Sequence, residues 1–212
     1  MAGEPEPLDG DEMDLERRRH RHWFDRLIML SDGVFAIAAT LLSLDIHGPA
    51  HWSTLSELWA GLAPQIEAYT LSFLVIAVFW LAHRRFMAMI TTVDAPLTVL
   101  TLIMLALVAL VPGVTHLART GPSMLVYAAL IILIGFSIAA IWAYASLIAD
   151  FVPAKVSRSS RWFQLVLMIF TPAAFLLIVS TAPLPVWTPS PILASLFLIG
   201  WPMRMWVLKR LK

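Results

Sequence analysis

The feature that most constrains this chain is a succession of near-continuous apolar runs at roughly 27–46, 68–90, 95–117, 122–148, 162–181 and 189–208. Each is about the length a helix needs to cross a hydrocarbon core of about 30 Å, which takes about 20 residues. In lipid every backbone N–H and C=O must be satisfied within the chain, which leaves only helices or closed barrels. A transmembrane barrel would show alternating stretches of about ten residues, and these runs do not alternate. The sequence therefore predicts an all-α membrane protein with six transmembrane helices per subunit. Pro112, Pro172 and Pro202 fall inside three of the runs, where membrane helices tolerate such breaks if neighbours re-satisfy the backbone. Composition agrees: 59% of the residues are hydrophobic, 14% are charged, and the mean hydropathy is +0.80. A soluble domain is about a quarter charged.

The distribution of basic residues predicts the orientation. Residues 1–25 read as a disordered cytoplasmic tail, first acidic and then basic, and 26–212 as the transmembrane domain. Seven of the fourteen acidic residues lie before position 17, and Arg17, Arg18, Arg19 and Arg21 follow directly. Of the fifteen Lys and Arg, fourteen fall on one side of the predicted topology: five at the N-terminal flank, then Arg84, Arg85, Lys155, Arg158, Arg161, Arg204, Lys209, Arg210 and Lys212. Only Arg119 falls on the other. Basic residues stay on the cytoplasmic side, so both termini are expected there, in a multi-pass protein of the cell membrane. Trp23, Trp52, Trp59, Trp80, Trp162, Trp187 and Trp206 lie near predicted span ends, where indoles favour the headgroup level. Leu55, Leu58, Trp59 and Leu62 recur at helical spacing, as a surface helix or as an early extension of the second span beginning before Pro64.

With no cysteine, the chain has no disulfide, thiolate nucleophile or cysteine metal site. It has no His-Glu-x-x-His, Gly-x-Ser-x-Gly or P-loop, so neither an enzyme nor a cofactor is expected. His20 and His22 lie in the basic flank and read as solvated side chains. That flank suits anionic lipid headgroups and does not require nucleic acid.

The first run carries the chemistry. Asp32 lies about one turn inside it, and an ionisable residue within a span costs at least about 2.5 kcal/mol unless paired or wetted. Arg26, six residues back, and Trp80 with His83, one turn apart in the second run, are candidate partners. The alternative is that Asp32 and Ser31 simply cap a helix start. Ile37, Leu41 and Leu44 stack along one helical face beside a small, slightly polar stripe of Ala36, Thr40 and Ser43, widened by Ala39. Small residues allow close helix approach in lipid. The branched stripe faces lipid or core, or else forms an apolar pore constriction of the kind channels use to gate and select.

Arg26-xxx-Leu30-Ser31-Asp32-Gly33-Val34-Phe35-Ala36-Ile37-Ala38 resembles the signature of the bacterial branch of the transmembrane protein 175 family of potassium channels. The segment from Tyr69 through Trp80 and His83 to Arg85 is similar to that family's second helix, and Asp94 opens the third run in a similar way. Leu30 stands where the family usually has Phe. The resemblance implies a potassium-permeable cation channel: a homotetramer whose pore is lined by the first helix of each subunit, without a re-entrant selectivity-filter loop. It implies a constriction at Ile37, Leu41 and Leu44 with Thr40 contributing. A structural hydrogen-bond network would comprise Arg26, Ser31, Asp32, Trp80, His83 and Asp94. Potassium would pass transiently, with no fixed ligand residues. The implied partners are potassium ions, further copies of the chain and the lipid bilayer. The runner-up is a proton- or cation-coupled secondary transporter, in which Asp32 and His83 would relay protons. No internal repeat and no matched pair of interrupted spans supports it.

Overall fold

A computed structural model describes residues 10–120 and 124–181. The chain is all-α. Helix α1 runs Gly10–Leu41 and tightens into a 3-10 turn at Leu42–Asp45. The tightening has a local cause. Thr40 Oγ1 donates to the Ile37 carbonyl at 2.9 Å and Ser43 Oγ to the Thr40 carbonyl at 2.7 Å, so hydroxyls satisfy carbonyls that the helix end would orphan. Where the sequence reading has a tail up to residue 25, the backbone is already helical from Gly10.

Helix α2, Leu55–Met87, is 33 residues long and passes through Pro64. Of the two readings of the Leu55–Leu62 stripe, the structure has the continuous extension of the second span. Its start is capped by side chains: Thr54 Oγ1 accepts from the Glu57 N–H at 3.2 Å, and the Glu57 carboxylate accepts from the Ser53 N–H, just before the cap, at 2.7 Å. The preceding loop is held by Gln65, whose amide exchanges two 2.8 Å bonds with the His47 backbone.

Helix α3, Ala95–Ala109, and helix α4, Val111–Thr120, meet at Leu110 and form one bent rod. Pro112 has no N–H for the Val108 carbonyl, and proline inside a helix kinks it. Helix α5, Met124–Ala143, ends in a π turn over Tyr144–Ile148. Asp150, at φ 51°, then leaves the helix in the left-handed region. Helix α6, Arg158–Thr181, packs on α5 in the most extensive helix pair of the fold. The two approach closely because Gly135 has no side chain: a Cβ there would lie 2.9 Å from the Pro172 Cβ.

The expectation of six transmembrane helices is corrected by the structure. Among the described residues α3 and α4 count as one, giving five helical rods, and four of these are long and apolar enough to cross a membrane. The fifth, α6, opens on Arg158, Ser159, Ser160 and Arg161, so its first turn is polar. The sixth expected stretch, 189–208, with Trp187, Trp206 and the basic C-terminal residues, lies outside the described residues.

The core is built around α5, whose Ile134, Ile141 and Trp142 are fully buried with Leu97 and Met104 of α3. Of the four candidate spans, the apolar stretch on α5 is 56% buried inside the subunit and that on α1 only 28%, so the first span is the least enclosed of the four.

Candidate functional site

Helix α1 has two faces of opposite fate. Leu27, Ser31, Phe35, Ala38 and Leu42, spaced by three and four residues, are buried against the rest of the subunit. On the other side Met29, Leu30, Gly33, Ala36, Thr40 and Ser43 are exposed, as are Ile37 (59%), Leu41 (42%) and Leu44 (67%). Almost nothing on that face is charged, so it is not a water-facing stripe but one made for lipid, another helix or a pore. The Thr40 hydroxyl proton is already donated to the Ile37 carbonyl, and its oxygen remains an acceptor.

Asp32 lies mid-helix, not at a cap. Its carboxylate accepts a 2.7 Å hydrogen bond from the Trp80 indole Nε1–H of α2. This bond is charge-assisted, the stronger class, and it ties α1 to α2 near the end where Arg26, Arg84 and Arg85 collect. The other expected partners behave differently. Arg26 is exposed and is not paired with Asp32. Ser31 is buried, but its hydroxyl returns to the Leu27 carbonyl at 2.8 Å. The His83 ring is buried with its centroid 6.0 Å from that of Phe35, and its Nε2 has no hydrogen-bond partner among the described residues.

Asp94 belongs to a second group. One carboxylate oxygen caps α3 through the Leu97 N–H at 2.9 Å, and the other accepts from the Tyr144 hydroxyl in the π turn. The α2–α3 and α5–α6 loops are joined beside it, Thr91 giving both its N–H and its hydroxyl to the Phe151 carbonyl. The structure thus divides the expected six-residue network into an Asp32–Trp80 pair and an Asp94–Tyr144 pair.

Several contributors escaped the sequence reading. The Arg84 guanidinium carbon lies 5.3 Å from the Trp80 ring centroid, a cation–π distance; the i, i+4 spacing was the available signal. Buried between the helices, the Ser72 hydroxyl bonds Tyr127 at 3.2 Å and Thr115 at 3.0 Å, linking α2, α4 and α5. Hydroxyls within apolar runs were the only hint. At the opposite end from Arg84, His116 Nδ1 lies 3.2 Å from Asp45 Oδ1 and joins α4 to the turn that ends α1. Arg161, at the start of α6, pairs with Asp150 and also donates to the Ser146 and Val152 carbonyls at 2.8 and 3.0 Å.

The Asp32–Trp80 site lies within the segment that known proteins share. The profile of the family described as the endosomal/lysosomal potassium channel TMEM175 matches residues 26–112. A potassium channel of Streptomyces collinus is 42% identical over 96 residues, 42% of this chain and 45% of that protein. A potassium channel of Chamaesiphon minutus is 32% identical over 150 residues, 63% of this chain and 71% of that protein. The chain thus spans less than half the length of the Streptomyces relative. The crystal structure of a lysosomal potassium-selective channel TMEM175 homolog from Chamaesiphon minutus superposes with a TM-score of 0.68 at 25% identity, over 87% of this chain and 97% of that one. Shared motif segments, identity across most of a relative's length and a common helical fold lead to one conclusion: the chain belongs to the bacterial branch of the TMEM175 potassium-channel family.

Proposed function

We propose that the protein is a potassium-permeable cation channel in which several copies, four by resemblance, surround an axis and turn their first helices toward it. The observation that carries this reading is the bare apolar face of α1. Ile37 and Leu44 are more than half exposed and Leu41 is exposed beside them, while the opposite face of the same helix is closed against the core. In an assembly each would contribute to a ring, and the three rings would stack along the axis. Rings of branched apolar residues exclude water and raise the barrier to a hydrated ion. Thr40, between Ile37 and Leu41, supplies an oxygen at the constriction. The relatives named above as potassium channels support the choice of ion. Asp32, bonded to Trp80, acts as a scaffold that fixes the tilt of the pore face, and the Asp94–Tyr144 pair steadies the helices behind it. With the basic ends in the cytoplasm, Asp45 and His116 stand at the outer mouth.

The test is a flux assay on purified protein in potassium-loaded liposomes. Passive potassium efflux that needs no counter-substrate is expected, with a tetramer by native mass measurement. Flux that appears only with an exchanging ion would instead identify a coupled transporter. A monomer that conducts would overturn the shared pore.

A further inference from the structure

We propose that Arg84 is a positioning residue for the first helix: its guanidinium, seated over the Trp80 indole, keeps that ring oriented so that its N–H stays on the Asp32 carboxylate. Arg84 lies one turn beyond Trp80 on α2, with its guanidinium carbon 5.3 Å from the ring centroid, while the same ring donates at 2.7 Å to Asp32. Trp80 is only half-buried. It packs against the core cluster but is not enclosed by it, so apolar packing alone leaves its orientation incompletely fixed. A cation held over the indole supplies the missing restraint.

The cation also acts electronically. A cation over the π face draws electron density from the indole and makes its N–H a stronger donor, and linked polar contacts in a low-dielectric setting reinforce one another. Arg26, the cation nearest in sequence to Asp32, is not paired with it. Arg84 reaches the Asp32–Trp80 pair through the ring. The effect on conduction rests on the reading of α1 as the pore helix; the positioning itself does not.

The test uses the full-length protein in detergent and in liposomes, with 15N-labelled tryptophan. The Trp80 indole N–H resonance is identified by its loss in Trp80→Phe. Arg84→Gln is expected to move that resonance upfield, toward a weaker hydrogen bond, and Arg84→Lys to move it less, because a cation remains over the ring. Lys155→Gln, the same charge loss at an exposed site on the same end of the bundle, leaves it in place. In liposomes Arg84→Gln shifts the potassium-to-sodium flux ratio in the same direction as Trp80→Phe, and adds nothing in the Trp80→Phe background. A resonance unmoved by Arg84→Gln, or additive flux effects of the two changes, overturns the proposal. Should Arg84→Gln fail to elute as wild type does, Arg84→Lys decides: its resonance must shift, and an unshifted one overturns the positioning role. If the wild-type protein passes no potassium, the channel reading fails while the resonance still decides the role of Arg84.

Discussion

Replacing Ile37 by Asn separates a pore helix from a lipid-facing one, because the structure bounds its cost to folding. Burying an isoleucine completely is worth about 1.5–3 kcal/mol. Ile37 is 59% exposed within the subunit, so removing its contacts costs the isolated fold about 1 kcal/mol or less. Any large effect must therefore come from what covers that face. If four Ile37 side chains ring an axis, four amides wet the narrowest point and lower the barrier to a hydrated ion. Every 1.4 kcal/mol so removed is about tenfold in rate, and sodium flux is expected to rise at least about tenfold while the potassium-to-sodium ratio falls. Ile103 of α3 is the matched control: it is 51% exposed and has no assigned pore role. Ile103→Asn is expected to lower yield or thermal stability and leave flux per assembled channel unchanged. The measurement is paired potassium and sodium flux in liposomes, normalised to tetramer. Flux unchanged in Ile37→Asn, or raised equally in both variants, would refute the reasoning.

Three further outcomes are expected. Gly135→Ala lowers thermal stability by about 1 kcal/mol, since the clash with Pro172 costs about 1–3 kcal/mol against about 1 kcal/mol gained in helix propensity; at Gly113, where a Cβ meets nothing within 4 Å, the same change is neutral or stabilising, and the reverse ranking in thermal unfolding would count against the close α5–α6 approach. Ser72→Ala breaks both of its hydroxyl links at once and costs about 1–2 kcal/mol, whereas Thr70→Ala, which loses only an exposed bond to the Ile66 carbonyl, stays within about 0.5 kcal/mol; equal unfolding temperatures would deny the three-helix hydroxyl link a stabilising role. At Gly33 an added Cβ meets nothing within 4 Å, so Gly33→Leu is expected to leave the subunit fold intact but to shift native mass toward smaller species if that face is shared between copies; an unchanged tetramer would place Gly33 away from the contact.

The parts of this molecule that were legible in the sequence are those whose physics is local or costly. Asp94 before Pro96 announces α3. Asp32 was legible because a carboxylate in an apolar run must find a donor, and Trp80 was among the few on offer. Choosing between Trp80 and Arg26 required the tertiary fold: Arg26 can remain at the helix surface, whereas the indole packs across from the carboxylate. The Asp94–Tyr144 pair could not be read, because it joins residues 50 apart through a π turn that no periodicity signals. The count of six spans rested on apolar length, which marks 162–181 as a run without showing that its helix already begins at Arg158.

Helix α2 also has a consequence for the landscape above the membrane. At 1.5 Å per residue its 33 residues extend about 50 Å, against a hydrocarbon layer of about 30 Å. Accommodating all of it would demand a tilt beyond about 50°, outside the usual range of 0–40°. Upright, the helix leaves about 13 residues clear of the hydrocarbon, and at a 40° tilt about seven; polarity selects the front end, where Glu57, Gln65 and Glu67 lie, since the far end reaches Arg84 and Arg85 only in its last turn. Each subunit then raises a post of about two to four helical turns above the lipid, tied at its foot by Gln65 to His47 and carrying two carboxylates. In the assembly proposed above, such posts would stand around the axis as an acidic palisade, and an arriving cation would enter a protein-walled antechamber before it reached the depth of the bilayer.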